Sequence, residues 1–439
     1  MTAATVRAAR VARAEPHAVL AVAAALVIAA EAAYDQQTSD VWLLLEAVVA
    51  GAGLLLVWRN QDRLRLVPLL AVGLAFQLAY VCVHIASGVR GDLDSRAIFG
   101  TYGQQLLDGD YPRSEYPVGA VLVFALEALI NGTHSRVPNA FVMIPFQLAL
   151  VAAVWLLRTR WSPWLAAFVA LWPMNAFYWE FKFDLAPAAL LALGLLLAWR
   201  SRWSWSGVAL GAGALVKWTP GVAFVALAVW LATSRRTREL RAHVVAFAVT
   251  VVVVYVPFLV WEPHDVLYAY SQQSGRTITG ESLWYLPLHV LGLADLGAHI
   301  SYAADVPHWA NAVAVVVQIA ALLAVLAFAA RARSSEAAVA LAALAPCVFL
   351  LTNRIFSPQF FLPLFASWAV AAALVSRNTR EQLAVGVVAA TASVANAFVY
   401  PYALPHYTLT WQLCSVALFM LAIGLTAWLA MRASGSGRA

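Results

Sequence analysis

The chain has 439 residues, of which 63% are hydrophobic and 11% are charged, and its formal charge is +6 at neutral pH. A soluble domain typically carries about 25% charged residues, so this composition excludes a soluble globular protein and predicts an integral membrane protein. The apolar runs are continuous and about 20 residues long, which disfavours a transmembrane barrel of short alternating strands. All three cysteines lie in apolar runs, so neither a disulfide framework nor a metal cluster is indicated.

The first apolar run, from Ala18 to Tyr34, follows three arginines. It is interpreted as a retained helix rather than a secretory signal, because the next run begins within a few residues. The pattern predicts an all-α, polytopic membrane bundle of about fourteen transmembrane helices. The predicted ranges are 18–34, 41–58, 67–88, 138–157, 163–178, 184–199, 204–217, 220–233, 243–261, 309–330, 336–352, 358–376, 382–400 and 409–431.

The basic residues orient this bundle. With fourteen spans and the N-terminus inside, 20 of the 28 lysines and arginines fall on inner segments, as the positive-inside rule requires. The sequence therefore predicts a membrane protein with both termini cytoplasmic and three substantial outer segments. Its 26 arginines and 2 lysines are typical of a GC-rich bacterial coding bias, so the predicted location is a bacterial plasma membrane. Merging the two short spans around Pro220 would move the arginines from Arg235 to Arg241 outside, so they are kept as two helices.

A polar segment from Arg90 to Pro117 interrupts the apolar pattern and is predicted to lie in water at the outer face. It is followed by an apolar stretch, Val118 to Ile130, that is too short to cross comfortably and is interpreted as an interfacial helix. Asp92 and Asp94 form an Asp-x-Asp pair in this segment. The pair is a weak metal signal, and one of its carboxylates is better suited to act as a general base.

Several other charged residues fall at predicted outer positions. Lys217, Arg276 and Arg354 could hold a lipid phosphate at headgroup depth, although a lone interfacial cation can also be a membrane anchor. Asp184 opens a helix with Pro187 in its first turn, which predicts an N-cap. Apolar helices also contain buried-type carboxyl groups and scattered histidines, but no histidine pair has metal-ligand spacing on one helix face, so no metal site and no cofactor are predicted.

The outer segments together resemble the bacterial polyprenol-phosphate-sugar-dependent glycosyltransferases of the GT-C fold, in particular glycosyltransferase family 87, which includes mycobacterial mannosyltransferases. The resemblance covers roughly residues 92–375 and rests on motifs that occur in the same order. They are Asp94, Tyr102-Gly103, Leu106-Leu107-Asp108-Gly109, Glu115-Tyr116-Pro117-Val118-Gly119-Ala120, Lys182-Phe183-Asp184-Leu185, Lys217-Trp218-Thr219-Pro220, Arg276-Thr277-Ile278-Thr279-Gly280-Glu281-Ser282 and Thr352-Asn353-Arg354-Ile355-Phe356-Ser357-Pro358-Gln359.

The resemblance implies a set of site residues. Asp94, or Asp92 as the alternative, would be the catalytic base, and Lys217, Arg354 and Arg276 would bind the donor phosphate. Substrate-binding residues would be Glu115, Tyr116, Lys182, Asp184, Glu281 and Gln359. Two positions depart from the family pattern: Val118 replaces the second proline of the Tyr-Pro-Pro element, and Lys182 replaces the usual arginine.

The function implied is transfer of a sugar, mannose in the first instance, from a polyprenyl-phosphate donor to a glycolipid or glycan acceptor at the extracytoplasmic face. The competing hypothesis is a transporter or lipid flippase without chemistry, which usually places its ionisable groups near the membrane midplane. A third hypothesis is an inactive GT-C relative, given Val118. The chain is divided into an N-terminal tail with two added helices (1–66), a catalytic core (67–376), and C-terminal helices with a short tail (377–439).

Overall fold

The computed structural model describes residues 15–37, 40–88, 94–134, 136–294, 306–400 and 409–435, and it contains no β-strand within them. The predicted all-α membrane bundle is confirmed. In chain order the helices are α1 Pro16–Gln37, α2 Asp40–Trp58, α3 Leu66–Ser87, α4 Phe99–Leu107, α5 Val118–Asn131, α6 Arg136–Leu156, α7 Ser162–Leu171, α8 Ala176–Phe181, α9 Leu185–Trp199, α10 Trp203–Val216, α11 Thr219–Thr233, α12 Thr237–Trp261, α13 Pro263–Gly275, α14 Tyr285–Val290, α15 His308–Ala330, α16 Ser335–Thr352, α17 Phe361–Val375, α18 Thr379–Val399 and α19 Leu409–Gly435.

A helix occupies every predicted span, but the count of fourteen transmembrane crossings is not confirmed. Among the described residues, ten helices are long and apolar enough to cross a membrane, or eleven if the pair Pro173–Phe181 and Leu185–Trp199, bent by 110°, forms one broken span. Helices α7, α10 and α11 have only 10–17 residues. At 1.5 Å per residue they are shorter than a hydrocarbon core of about 30 Å.

The predicted span 163–178 is divided into two helices. Helix α7 ends at Leu171, a short 3₁₀ turn occupies Pro173–Asn175, and α8 begins at Ala176. Proline lacks the backbone N–H that would continue the helical ladder, so Pro173 accounts for the break. The break has a structural consequence, because it lets the short helix α8 end at Phe181, immediately before Lys182 and Asp184.

The core of the bundle consists of α9, α16 and α17, whose side chains are almost all buried. At the periphery, α12 has no buried residue in its most apolar window, and it exposes a row of valines such as Val249, Val252 and Val253. Such an exposed apolar stripe suits contact with lipid chains. Helices α1 and α2 pack against each other and α1 packs against α3, so the predicted N-terminal addition is attached to the bundle. The three-part division of the chain remains a prediction.

The connections between helices alternate between the two ends of the bundle. Helix α9 begins directly after Asp184 and ends directly before Arg200. Helix α11 begins at Thr219 and ends at Thr233, shortly before Arg235. The acidic and motif-bearing connections therefore gather at one end, whereas the arginine-rich turns lie at the other. The described connections at the motif-bearing end surround a cavity.

Candidate active site

A cavity of about 550 Å³ opens at the motif-bearing end of the bundle. Its walls come from eight separate stretches of chain. They are the turn before α4, the segment before α5, the residue after α8, the corner between α10 and α11, the end of α13 with the segment after it, Gln318 of α15, the end of α16 with the segment after it, and Tyr400. No two of these stretches are consecutive in sequence, so the cavity exists only in the folded bundle. The predicted site residues that line it are Asp94, Glu115, Tyr116, Lys182, Lys217, Arg276, Glu281, Arg354 and Gln359.

The first ion pair of the cavity joins Asp94 to Lys182. The Lys182 Nζ atom donates a hydrogen bond to Asp94 Oδ2 at 2.8 Å. The lysine side chain is 7% exposed and the aspartate side chain 29% exposed, so the carboxylate is the more accessible partner. Lys182 follows the last residue of α8, and its extended backbone directs it out of the helix toward the cavity. The arrangement leaves one face of the Asp94 carboxylate open to an incoming group.

The second ion pair joins Asp184 to Lys217, with 2.5 Å between Lys217 Nζ and Asp184 Oδ1. Asp184 is fully buried, and it lies behind the lysine rather than in the cavity wall. The predicted N-cap is wrong: Asp184 precedes α9, but its side chain makes no capping hydrogen bond. Asp184 has helical backbone angles rather than the extended ones typical of a capping residue, so its side chain is directed to Lys217 and not to the first N–H groups of α9.

Lys217 is held between aromatic rings at the corner that joins α10 to α11. Its Nζ atom lies 4.3 Å from the centroid of the Phe360 ring and 5.1 Å from that of Phe183, both within cation–π range. Burial lowers the pKa of the Lys217 ammonium below its usual value, even though Asp184 acts in the opposite direction. A partly desolvated cation of this kind interacts more strongly with an anionic ligand than a solvated one does.

The third ion pair joins Glu115 to Arg276, which approach to 3.1 Å and are each between one-fifth and one-quarter exposed. The backbone carbonyl of Glu115 also accepts a hydrogen bond from Gln273 at 3.4 Å. The adjacent Tyr116 is enclosed by aromatic rings, and burial together with the negative charges of Asp94 and Glu115 raises the pKa of its hydroxyl well above the usual value. Tyr116 therefore remains a neutral hydrogen-bonding group at physiological pH.

Another wall of the cavity is the segment after α16, which contains Arg354 and Phe356. It is hydrogen-bonded to the segment after α13, which contains Thr279. Thr279 donates through its hydroxyl to the carbonyl of Phe356 at 2.9 Å, and it accepts from the Phe356 N–H at 3.0 Å. The Thr279 N–H donates to the Arg354 carbonyl at 3.0 Å. The Arg354 guanidinium in turn donates to the carbonyl of Ser274 at 2.9 Å. These bonds place the Arg276 and Arg354 segments side by side.

A close backbone contact fixes the position of Lys217 relative to the segment before α5. A Cβ atom on Gly119 would lie only 2.5 Å from the carbonyl carbon of Leu215, so only glycine permits this approach of α5 to the end of α10. The neighbouring Val118 is 1% exposed and packs in a small apolar cluster with Tyr111, Val121 and Val266. The departure from the family pattern at Val118 thus faces apolar packing and not the cavity.

Of the predicted site residues, Lys217 and Arg354 line the same cavity, as their matching positions had suggested. Asp92 lies outside the described residues. Sequence reasoning missed Phe183, Phe360 and Tyr400, which the structure brings to the site. Phe183 lies within a quoted motif without an assigned role, and Phe360 directly follows the last motif residue, Gln359. Tyr400 follows α18, more than 40 residues beyond the nearest motif, and carries no such local signal.

Comparison with known proteins identifies the family. The model of glycosyltransferase family 87 matches residues 115–358, which is more than half of the chain. Among solved structures, ArnT from Cupriavidus metallidurans bound to undecaprenyl phosphate is similar over 82% of this chain and 78% of that chain, with 16% sequence identity and a TM-score of 0.41. No curated protein matches. The family match spans the Glu115, Lys182, Lys217, Arg276 and Arg354 motifs, and the chain belongs to glycosyltransferase family 87.

Proposed function

We propose that this membrane glycosyltransferase moves a mannosyl residue from a polyprenyl-phosphate donor to a hydroxyl group of a lipid-linked or cell-envelope acceptor. The acceptor oxygen attacks the anomeric carbon while the bond from that carbon to the phosphate oxygen breaks. The acceptor proton passes to a carboxylate, and polyprenyl phosphate departs with the bonding electron pair. One displacement of this kind inverts the anomeric centre.

The observation that carries the proposal is the convergence of several cations with the carboxylate of Asp94 on a single cavity, which Lys182, Glu115 and Glu281 also line. Lys217, Arg276 and Arg354 line it together with Asp94. The leaving phosphate develops negative charge in the transition state, and fixed cations aimed at it lower the barrier without reorganising. The accessible carboxylate meets the remaining requirement of the reaction, which is a base positioned beside the acceptor.

Asp94 is the proposed base. Lys182 fixes one of its oxygens at 2.8 Å, and 29% of the side chain remains exposed toward the cavity. A general base must lie within hydrogen-bond reach of the proton that it takes, and an ion pair on one oxygen leaves the other free to approach an acceptor. Two other acids of the same loop suit this role less well: Asp108 accepts from Gln104 at 2.8 Å on a turn outside the cavity, and Glu115 is paired with Arg276.

The proposed orientation has the cavity outside the cytoplasm and both termini inside. It is supported by the separation of charge along the bundle, because the arginines that follow α9 and α11 lie at the end opposite the cavity. A cysteine introduced at Ser95 tests the orientation in intact cells. Labelling by an impermeant reagent is expected, and protection from it at both Ser95 and Ser135 would contradict the proposal.

An assay of the purified full-length protein with a panel of polyprenyl-phosphate sugars tests the reaction itself. Release of polyprenyl phosphate from the mannosyl donor is expected, and it should depend on an added acceptor. The matched control is Asp108→Asn, which removes a carboxylate from the same loop outside the cavity. If no donor in the panel is cleaved while a labelled lipid still crosses reconstituted vesicles, the transporter hypothesis replaces this one.

A further inference from the structure

A second group of ionisable side chains lies away from the cavity, where α1, α2, α3 and α8 meet. His84 in α3 is 3% exposed, and its ring lies between two carboxyl groups. Its Nε2 atom is 2.6 Å from Glu31 Oε1, and its Nδ1 atom is 2.6 Å from Glu180 Oε2. We call this group, together with the neighbouring Asp35 and Glu46, the His84 cluster.

The carboxyl groups of the His84 cluster exceed the positive charge that its imidazole can supply. Glu31 and Glu180 contact the ring, and the Glu46 carboxyl group lies against that of Glu31. Glu46 is completely buried, and its carboxyl group shares a hydrogen bond with that of Glu31, so the pair is held by a proton rather than by a second cation. A buried carboxylate is costly unless a cation or a hydrogen-bond donor compensates it, so the cluster is built for an added positive charge.

The geometry suits a metal ion. One ligand atom each from Glu31, Asp35 and His84 lies within 4.8 Å of the others. Glu180 holds the opposite ring nitrogen, which is the arrangement by which a carboxylate orients a metal-binding histidine and sets its tautomer. Ligand atoms at about 2.0–2.2 Å from a zinc ion lie roughly 3.3 Å from each other. His84 Nε2 and Glu31 Oε1 are 2.6 Å apart, so these two atoms would move apart by less than about 1 Å when a metal ion replaces the proton between them.

We propose that Glu31, Asp35 and His84 bind one divalent transition-metal ion of the Zn²⁺ or Mn²⁺ type, with Glu180 as the residue that orients His84. An imidazole nitrogen with carboxylate oxygens is a ligand set for these ions. Binding displaces the proton on Nε2, which passes to solvent. Asp35, in the last turns of α1, is only partly buried and marks the side from which an ion enters. The sequence predicted no metal site because the ligands come from two helices far apart in the chain, with Glu31 and Asp35 in α1 and His84 in α3.

The site has a defined position relative to the active site. Glu180 is in α8 and stands two residues before Lys182, the lysine that binds Asp94. A metal ion held by α1 and α3 and linked through His84 to Glu180 therefore joins the N-terminal helices to the element that carries the Asp94 partner. The ion has a structural role in this arrangement and takes no part in glycosyl transfer.

Metal titration of the full-length protein tests the proposal. The protein in detergent is dialysed against a chelator and then titrated with Zn²⁺ or Mn²⁺ by calorimetry, with Co²⁺ as a spectroscopic probe. Saturable binding of one ion per chain is expected. His84→Gln and Glu31→Gln should weaken binding at least tenfold, and Glu180→Gln should weaken it by about 10- to 100-fold.

The matched control is Glu127→Gln, because Glu127 in α5 is an equally buried carboxyl group outside the cluster. It should retain the affinity of the parent protein. If the parent protein shows no saturable binding, the cluster is compensated by protons and the proposal is wrong. It is also wrong if His84→Gln and Glu31→Gln bind as tightly as the parent. Should either variant fail to fold, Asp35→Asn at the partly exposed ligand decides by the same measurement.

Discussion

The candidate active-site cavity and the His84 cluster differ in how their buried charges are compensated. At the cavity, three carboxylates each have their own lysine or arginine: Asp94 with Lys182 and Glu115 with Arg276 in its wall, and Asp184 with Lys217 directly behind it. In the cluster, one imidazole lies between two carboxyl groups, with a third against them. Paired charges can exchange partners with a substrate that arrives and leaves. An excess of carboxylates instead retains whatever cation compensates it.

The two regions also differ in how far their charged side chains are exposed to solvent. The cavity pairs are partly exposed on at least one side, as the 29% exposure of Asp94 shows, whereas the cluster residues Glu31 and Glu46 are at most 1% exposed. The first region is open to solvent through the cavity. The second region has the dry surroundings in which ligands stay fixed, which suits a structural role between helices.

Asp94→Asn is expected to have the largest effect on turnover. The substitution preserves shape and removes the base, and a positioned general base contributes typically about 10²–10⁴-fold to the rate. Turnover should therefore fall by roughly that factor with donor binding largely intact, as measured by polyprenyl phosphate release and by equilibrium donor binding. Glu31→Gln removes a carboxylate from the cluster and should instead change metal content.

If Asp94→Asn kept near-full turnover while Asp92→Asn abolished it, the role of general base would be assigned to Asp92. If neither substitution altered turnover, the enzymatic role of this loop would be refuted. Asp108→Asn, on the turn after α4, is the control and should behave like the parent protein.

Lys217→Met is expected to weaken donor binding by about 10- to 100-fold, because a hydrogen bond to a charged group contributes about 1.5–3 kcal/mol. It should also destabilise the fold, since it leaves Asp184 buried without its cation, and breaking a buried pair costs about 3–5 kcal/mol. The double variant Lys217→Met/Asp184→Asn removes that buried charge. It should recover stability in thermal unfolding but not donor affinity, which separates the two roles.

Recovery of donor affinity in the double variant would show that Lys217 acts on the donor only through the fold. In the cluster, the corresponding test has the opposite expectation, because Glu46→Gln keeps a hydrogen-bond donor beside Glu31 and should not require a compensating substitution.

Gly119→Ala is expected to destabilise the protein by about 1–3 kcal/mol, the usual cost of overpacking. The added methyl group would meet the Leu215 backbone at 2.5 Å, where no rotamer change can relieve the contact. Moving the end of α10 also moves Lys217, so donor affinity should fall with stability. Gly424→Ala in α19, where nothing lies within 4 Å of the added group, is the control and should leave both quantities unchanged or improved.

The smallest expected effect is an alkaline limb in kcat/KM. Because burial lowers the pKa of Lys217, its positive charge is present below that lowered pKa and is lost as the pH rises through it. The fall should thus begin below the value of about 10.4 of a free lysine. Lys217→Arg keeps its charge at this pH and should abolish the limb. An unchanged limb would assign it to another group, although not to Tyr116, whose raised pKa lies above this window.

Local sequence signals identified the motif residues but not which of them pair with each other. The order of the Glu115, Lys182, Lys217 and Arg354 motifs placed these residues in one site before the fold was known. The partner of each charge lay far along the chain: Asp94 and Lys182 are 88 residues apart, and Glu115 and Arg276 are 161 apart. No local pattern encodes such pairs, because helix packing brings them together.

The N-cap predicted for Asp184 shows how a local rule fails. Aspartate before a helix with proline in its first turn satisfies the statistical pattern of a cap. The rule assumes an extended backbone at the capping residue, whereas Asp184 has helical backbone angles and its side chain binds Lys217 from a distant part of the chain. The predicted number of membrane crossings also rested on a local rule, namely that each apolar run is a complete span. Tertiary packing allows α7, α10 and α11 to be shorter than that.

The sequence by itself determined that the protein is an all-α membrane bundle and that its motif residues belong to one family, because apolar run length and motif order are properties of the linear chain. Only the tertiary structure decided which charges neutralise each other, that Phe360 encloses Lys217, and that His84 meets Glu31 and Glu180. The physical reason is that charge compensation in a low-dielectric interior is settled by the few side chains within hydrogen-bond distance. Those neighbours come from helices whose order in space the sequence does not state.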